Sequence, residues 1–363
     1  MITTNNNQTY AIAMSGGVDS SMAAVLIQRE GHNLFGLTMH IHDNCSKAIE
    51  DAKKICDTIG IQHHVLDLRD EFKTLVIEEF VRYYQNGKTP NPCALCNRDI
   101  KMNLLLKFAL KKGANFMATG HYVNLTVDDN EHVFMKEAAN LKKDQSYFLS
   151  MVSRENLKLI RFPLGNMKNK DETRALALEA GLHTFSKKDS QDICFIKDND
   201  YKKFLQNFQT NSNLFNYGHI ILAQSGEILG KHNGIANYTI GQRKGLGISY
   251  PEPLYVLKID SSNCNVIVGT KQDINESEFS IKDINWIIDQ AELFQAFVKL
   301  RSIAEKSLAI IKKLPNNSAK IVLQTESKTP ITPGQICAIY SSENYVIGAG
   351  IIEKPSCATP AFV

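Results

Sequence analysis

The feature that most constrains the fold is a glycine-rich turn between an apolar strand and a helix. We predict a strand over residues 10–14 and a helix over residues 20–30, which Gly31 ends. The turn between them reads Ser15-Gly16-Gly17-Val18-Asp19-Ser20. Glycines let a backbone approach an anion closely, helix-start amides favour negative charge, and a carboxylate tolerates phosphate when Mg²⁺ lies between them. The turn therefore predicts a metal–pyrophosphate site, with a purely structural strand-to-helix turn as the alternative.

Hydrophobic periodicity divides the chain into two kinds of sequence. In the first half we predict further strands over residues 34–40, 62–68 and 116–119, and helices over residues 46–59, 71–84, 99–112 and 171–180. This order predicts an α/β domain over residues 1–205, with a parallel sheet and helices on both of its faces. Later turn signals separate short β-rich runs at 219–223, 254–259, 266–268, 319–324 and 346–352. They predict antiparallel modules: a small β-rich domain over 206–275 and a barrel-like one over 276–363.

Composition excludes several classes of protein. The chain has 363 residues, of which 43% are hydrophobic, and no apolar run approaches the roughly 20 residues that cross a bilayer. Its polar start lacks the pattern of a secretory signal. Eight cysteines in such a chain are expected to be reduced thiols. We therefore expect a cytoplasmic protein that does not enter a membrane.

Two loops carry cysteines suited to nucleophilic chemistry. Prolines hold an extended loop before the helix predicted to start at residue 99, and Cys93 and Cys96 lie in that loop. We expect the helix start and two nearby basic residues to lower the pKa of Cys96. Cys194 lies in a later loop. A zinc site would need a second close pair, which the sequence lacks, and a structural thiol, as expected for Cys56, is the alternative for each cysteine.

The turn at residues 15–20 resembles the SGGxDS loop of the N-type ATP pyrophosphatases, which cleave ATP between its α and β phosphates and adenylate a carbonyl oxygen. Beyond that loop, nearly the whole chain resembles the bacterial tRNA-specific 2-thiouridylase family. The motifs that carry the resemblance are Ala13-Met14 with the loop, TPNPCALCN at 89–97, ATGHY at 118–122, KDQSYFL at 143–149, DSQDICFI at 189–196, YTIGQRKGLG at 238–247 and PGQ at 333–335.

The resemblance implies an enzyme whose domain over residues 1–205 is an ATP pyrophosphatase domain. ATP, with Mg²⁺, would adenylate the C2 oxygen of the wobble uridine of a tRNA, with Asp19 in the catalytic loop. Cys194 would carry persulfide sulfur from a sulfur-relay donor protein, and Cys96 would free the thiolated base, leaving a transient disulfide between the two. The implied ATP-binding residues are Ala13, Met14, Ser15, Gly16, Gly17, Val18, Asp19, Ser20, Met39 and Gly120. The implied tRNA-binding residues are Asn91, Pro92, Cys93, His121, Lys143, Asp144, Gln145, Arg301, Ser302 and Gln335.

Two positions depart from the family pattern. Cys93 stands where many members have aspartate, so it could pair with Cys96, or the thiolates of Cys93, Cys96 and Cys194 could hold a four-iron four-sulfur cluster with one open iron. Ser302 stands where members often have a tyrosine, and serine cannot stack on a base. A small-molecule adenylating synthetase and a metal-binding RNA protein remain alternatives. We expect a monomer whose loop around Cys194 closes when tRNA binds.

Overall fold

The computed structural model describes residues 7–169, 172, 178, 179, 181, 192–208, 213–274, 277–325 and 330–353. Most of the helix predicted over 171–180 lies outside these residues. Within them, no helix is both long and apolar enough to cross a membrane.

The first domain is built on a five-stranded parallel sheet, as predicted. Its strands are β1 (Thr9–Ala13), β2 (Asn33–His40), β3 (Gln62–Asp67), β4 (Phe116–Thr119) and β7 (Ile160–Arg161), in the order β3-β2-β1-β4-β7. Between β4 and β7, the chain forms an antiparallel hairpin of β5 (Asn124–Val127) and β6 (Val133–Lys136). β1 is central, and Ala13 pairs with both Leu37 and Thr119. The loops that follow β1, β2 and β4 therefore meet at one edge of the sheet.

Helices cover both faces of this sheet because side chains alternate along each strand. Ile12 packs against helices α1 (Val18–Arg29) and α2 (Ser46–Ile59). Ala11, on the opposite face, packs with residues of a later helix that includes Met102 and Ala109. Glycines end the helices as predicted, with left-handed backbones at Gly31 and Gly60.

Two long helices contain π-helical stretches. The first runs through α3 (Arg69–Phe72), a π-helical stretch (Lys73–Glu78) and α4 (Glu79–Gln85). The second runs through α5 (Pro92–Leu95), a π-helical stretch (Cys96–Leu105) and α6 (Leu106–Lys111). The extended loop predicted up to residue 98 is therefore wrong, because the helix begins at Pro92. Proline needs no amide partner at the first helical position, and the Asn91 side chain caps the helix by accepting from the amide of Ala94 at 3.2 Å.

Short helices and a four-stranded sheet follow. The helices are α7 (Ser146–Leu149), α8 (Arg154–Lys158) and α9 (Tyr201–Phe208). The sheet contains β8 (Gly218–Leu222), β9 (Ile228–His232), β10 (Tyr255–Asp260) and β11 (Asn265–Gly269), in the order β10-β11-β8-β9. The pair β8–β11 is parallel, so the expectation of purely antiparallel modules is wrong for that pair.

The last module is a closed six-stranded antiparallel barrel, which confirms the predicted barrel-like end of the chain. Its strands are β12 (Glu278–Trp286), β13 (Leu293–Lys299), β14 (Ser307–Leu314), β15 (Ser318–Leu323), β16 (Ile336–Tyr340) and β17 (Val346–Glu353). Cys337 and Ile339 of β16 point into the barrel core, while Ile336, Ala338 and Tyr340 join the core of the first domain. The barrel is thus packed directly on the α/β domain.

Candidate active site

The predicted phosphate turn lies at the carboxyl end of β1. Gly16 has φ +71°, and a Cβ there would lie 2.7 Å from the carbonyl oxygen of Ala48. The hydroxyl of Ser20 accepts from the amide of Ser15 at 3.1 Å and donates to the carbonyl of Gly17 at 3.1 Å. These bonds hold the turn in one shape before any ligand binds. Ala13 and the buried Met14 lead into the turn, and the buried Val18 begins α1.

Residues that follow β4 pack closely against this turn. A Cβ on Gly120 would lie 2.5 Å from the carbonyl carbon of Asp19 and 2.6 Å from the amide of Ser20. The hydroxyl of Tyr122 donates to Oδ1 of Asp19 at 2.8 Å. The structure thus brings Gly120 to the turn, and it adds Tyr122 as an orienting partner that sequence reasoning did not single out.

Cys96 lies in a small apolar cluster next to the end of β2. It is 6% exposed and packs with Phe72 and Ile100, and the predicted ATP-site residue Met39 contacts the same cluster. Cys93, one helical turn earlier, is exposed. Met39 therefore connects the carboxyl edge of the sheet to the helix that carries these thiols.

Cys194 is brought to the same region by its neighbour Phe195. The ring centroid of Phe195 lies 5.7 Å from that of Phe72, 5.4 Å from Phe80 and 5.1 Å from Phe204. Cys194 itself is exposed, whereas Phe195 packs on the same apolar cluster as Cys96. The structure therefore places the three predicted thiols in one neighbourhood. Residues 182–191, which include the start of this motif, lie outside the described residues.

The expected low pKa of Cys96 is wrong. Burial raises its pKa to about 11, against the opposing charge of Lys101 and with help from Cys93 and Asp99. The thiol sits in the second turn of a helix that starts at Pro92, so it gains little from the helix start. The other basic neighbour, Arg98, is held by Asp99 through two hydrogen bonds of 2.8 Å.

The other two thiols are shifted in the same direction. The protein atoms around Cys194, together with the neighbouring Cys96, raise its pKa to about 12. The protein atoms around Cys93 also raise its pKa by keeping water from the thiol, although the residue has an exposed surface. Lys101 opposes all three shifts, which makes it a site residue that sequence reasoning noted only as a neighbour of Cys96. Its reach to Cys194 depends on the tertiary fold, so no local pattern could have revealed it.

The three thiols do not form a ligand set for a cluster in this conformation. Among the described residues, which include Cys93, Cys96 and Cys194, no three His, Cys, Asp or Glu side chains converge closely enough to share a metal ion. All seven described cysteines are free, and Cys56 is fully buried, as expected of a structural thiol.

Several predicted tRNA-binding side chains make hydrogen bonds within the protein. Nε2 of Gln335 donates to the carbonyls of Thr89 and Pro90 at 3.0 Å each. Oε1 of Gln145 accepts from the amide of Tyr122 at 2.9 Å. Asp144 accepts from the hydroxyl of Ser146 at 2.7 Å, and Pro92 is buried at the helix start. These side chains hold the loops that carry the thiols and the phosphate turn.

The remaining predicted tRNA-binding residues lie in the α/β domain (His121 and Lys143) and in the barrel (Arg301 and Ser302). His121 accepts or donates at 2.8 Å with the hydroxyl of Thr119, and burial lowers its pKa to about 3, so its imidazole is neutral at pH 7. Lys143 is half-buried in the loop before α7. Nη2 of Arg301 donates to Thr332 at 2.9 Å, and Ser302 follows it, half-buried. Arg301 and Ser302 thus lie in the loop that follows β13 of the barrel.

A parallel sheet whose central strand leads into a glycine phosphate turn, with thiols beside the same edge, defines a nucleotide-binding α/β enzyme that combines phosphate and thiol chemistry. Three family models match in order: the tRNA methyl transferase HUP domain over residues 8–198, the tRNA methyl transferase PRC-barrel domain over 202–270 and the Aminomethyltransferase beta-barrel domain over 276–352. Curated proteins named tRNA-specific 2-thiouridylase MnmA are 42–43% identical over 96% of the chain, so the chain belongs to that family.

Individual relatives support this membership. The tRNA-specific 2-thiouridylase MnmA of Rickettsia conorii is 43% identical over 364 residues, which cover 96% of each chain. That of Trichlorobacter lovleyi is 42% identical over 353 residues, covering 96% of this chain and 98% of that protein. Among solved structures, an NH3-dependent NAD synthetase from Campylobacter jejuni has a weak likeness, with 18% identity, a TM-score of 0.34, and coverage of 50% of this chain and 67% of that one.

Proposed function

We propose that this protein is a tRNA-uridine 2-sulfurtransferase. ATP adenylates the C2 oxygen of the wobble uridine and releases pyrophosphate. The outer sulfur of a persulfide on Cys194 then attacks C2, and AMP leaves. Finally, the thiolate of Cys96 attacks Sγ of Cys194, which forms a disulfide and frees the 2-thiouridine. The observation that carries the proposal is that Cys96 and Phe195, the neighbour of Cys194, share one apolar cluster, which Met39 joins to the sheet edge that holds the phosphate turn.

The turn is suited to hold the phosphates of ATP. Gly17 has no neighbour closer than 3.4 Å to an added Cβ, so its backbone leaves room for an anion to approach. The Asp19 carboxylate, oriented by Tyr122, fits Mg²⁺, which prefers hard oxygen ligands and neutralises phosphate charge when bound. Ser15 and Ser20 add hydroxyls at the same place. The turn thus binds and orients the nucleotide for attack at the α phosphate.

The thiols divide their tasks by exposure. Cys194 is exposed, which suits receipt of sulfur from a donor protein, whereas Cys96 is buried, which suits attack on a neighbour within a closed site. Lys101 supplies positive charge that stabilises either thiolate. A target base must leave its stack to reach them, as a single-stranded loop nucleotide can.

Two competing activities explain less of the structure. Methyl transfer, which two of the family-model descriptions name, gives no task to the two thiols beside the phosphate turn. A four-iron four-sulfur cluster would need Cys93, Cys96 and Cys194 to converge together, and no such group of three is found among the described residues, whereas the persulfide route needs only Cys96 and Cys194 to meet. We therefore favour the persulfide route.

The proposal also includes a protein that donates sulfur to Cys194. We propose that the enzyme is a monomer in the cytoplasm and that its three domains span residues 1–205, 206–275 and 276–363.

The decisive experiment measures 2-thiouridine in tRNA from cells that lack this protein. Loss of the nucleoside, restored by the wild-type gene and not by Cys96→Ser or Cys194→Ser, is the expected result. Cys264→Ser, in the turn between β10 and β11, is the matched control and should restore it. Unchanged 2-thiouridine in the deletion strain would refute the proposal. Iron analysis of active protein separates the routes, because iron-free activity excludes the cluster.

A further inference from the structure

An open cavity of about 410 Å³ lies in the central β domain and shares no lining residue with the phosphate turn or the thiols. It is formed by two segments, 243–248 and 250–254, which include most of the GQRKGLG motif. That motif has no task in the proposed reaction so far. The volume falls within the range of about 300–1,000 Å³ that is typical of small-ligand pockets.

The turn that borders this cavity is shaped in advance by Gln242. Oε1 of Gln242 accepts from the amide of Thr239 at 3.0 Å, and its Nε2 donates to the carbonyl of Lys244 at 2.9 Å. Gly245 completes the turn with φ +79°. Arg243 and Lys244, which this turn carries, are both exposed. Within the part of the chain that the structure describes, neither side chain makes an ion pair or hydrogen bond.

The lining matches the parts of one nucleotide. Arg243 can pair with a phosphate, and Tyr250, 36% exposed, offers a ring face to a base. Glu252 lines the same cavity and can accept a hydrogen bond from a ribose hydroxyl or a base amino group. A lining that holds one arginine and one glutamate suits a ligand with a single negative charge and several donors. It does not suit a free triphosphate, whose charges the glutamate would repel.

The bordering turn is also attached to the barrel. A Cβ on Gly241 would lie 2.5 Å from Cγ of Pro330, and Nη2 of Arg301 lies 3.5 Å from the carbonyl oxygen of Ile240. Through Gln335 the barrel in turn holds the carbonyls at residues 89 and 90, just before the thiol helix. A ligand in the cavity therefore contacts a part of the molecule that is continuous with the thiol site.

We infer that this cavity binds one nucleotide of the substrate tRNA away from the target uridine, with Arg243 on its phosphate, Tyr250 stacked on its base and Glu252 on its donors. The inference rests on the proposed function, since it assigns a second contact to the same RNA. This second contact affects the affinity for tRNA and not the chemical steps, because no residue of the cavity belongs to the phosphate turn or the thiol site.

The test is tRNA binding by filter retention at several salt concentrations, without ATP or sulfur donor. Arg243→Ala should weaken binding about tenfold and reduce the slope of log K against log salt by about 0.7 to 0.9, the change expected for one lost phosphate contact. Tyr250→Ala should weaken binding by about fivefold or more, the loss typical of one stacked base, and Tyr250→Phe should bind like wild type. Lys231→Ala, an exposed lysine of β9, is the matched control and should change little.

In turnover assays the same variants should raise KM for tRNA with kcat and the KM for ATP unchanged. An unchanged salt slope and affinity in Arg243→Ala would overturn the inference. So would a raised KM for the sulfur donor with unchanged tRNA binding, which would assign the cavity to a protein. Tight binding of free CMP or AMP that Arg243→Ala abolishes, with tRNA binding unchanged, would assign it to a free nucleotide. Because binding is measured without thiolation, failure of wild type to form 2-thiouridine would count against the proposed function alone.

Discussion

Gly120 offers the sharpest test of how the sheet edge shapes the phosphate turn. Its Cβ position lies 2.5 Å from the carbonyl carbon of Asp19 and 2.6 Å from the amide nitrogen of Ser20, and both are backbone atoms that cannot rotate away. Ordinary contact begins at 3.4 Å, so Gly120→Ala must move the turn or the end of β4 by roughly 0.9 Å. The backbone of Gly120 itself is unstrained, since its φ is outside the left-handed region.

Overpacking of this kind costs about 1–3 kcal/mol. If the turn moves to relieve the contact, its amides leave the positions that bind phosphate, and the same energy lost from binding weakens ATP affinity by about 5- to 150-fold. Tyr122→Phe makes a smaller perturbation at the same place. It removes the 2.8 Å hydrogen bond to the Asp19 carboxylate, worth about 1.5–3 kcal/mol for a charged acceptor, without any steric demand.

The assay is calorimetric titration with MgATP, together with urea unfolding of each variant. Gly120→Ala should lose both ATP affinity and unfolding free energy. Gly17→Ala, whose added Cβ meets nothing nearer than 3.4 Å, should keep wild-type stability, so any loss of ATP affinity there reports direct approach of the ligand. Wild-type stability and ATP affinity in Gly120→Ala would refute the reasoning, because the turn would then tolerate a displacement that the geometry forbids.

Four further outcomes are expected. Alkylation of Cys96 by iodoacetamide in the free enzyme should be slow at pH 7 and rise about tenfold per pH unit until its pKa of about 11, as followed by peptide mass spectrometry. Lys101→Ala should move the pH profile of 2-thiouridine formation to higher pH, because loss of the positive charge raises the thiol pKa further, and Lys101→Arg should restore it. Gln335→Glu, which cannot donate to the two carbonyls it now holds, should lower kcat and leave ATP affinity unchanged in titration. Lys306→Ala should lower the free energy of unfolding, measured in urea, by about 2–4 kcal/mol, because it removes the ion-pair partner that lies 2.8 Å from the carboxylate of Glu137, which is 8% exposed. Adding Glu137→Gln to that variant should recover part of the loss.

Elements that depend only on residues close together in the chain were predictable from the sequence. The strand, glycine turn and helix around residues 10–30 lie next to each other in the chain, so periodicity and turn chemistry identify them. Strand β16 was missed for a physical reason. Its residues are buried on both sides, in the barrel core and in the core of the first domain, so the run shows no alternation of polar and apolar side chains.

The environment of Cys96 could not be predicted from its neighbours in sequence. The prolines before it suggested a loop, whereas Pro92 starts the helix and moves the thiol into its second turn. The burial that dominates its pKa comes from Phe72, far along the chain, and from the segment around Phe195. Gln335 was likewise chosen for a motif, and only the fold shows that it holds the carbonyls before the thiol helix.

The raised pKa of Cys96 is compatible with the proposed reaction and constrains the order of its steps. A persulfide on Cys194 can be discharged early if a neighbouring thiolate attacks Sγ and expels hydrosulfide. With a pKa of about 11, only about one Cys96 thiol in 10⁴ is ionised at pH 7; a thiol with the ordinary pKa of 9.0 is ionised about 100 times more often, so burial slows this loss by up to about 100-fold. We therefore expect persulfidated enzyme without tRNA to release sulfide slowly, and a polar substitution beside the thiol, such as Ile100→Asn, to accelerate that release as it lowers the desolvation of the thiolate. Equal sulfide release from both proteins would show that burial of Cys96 does not protect the persulfide.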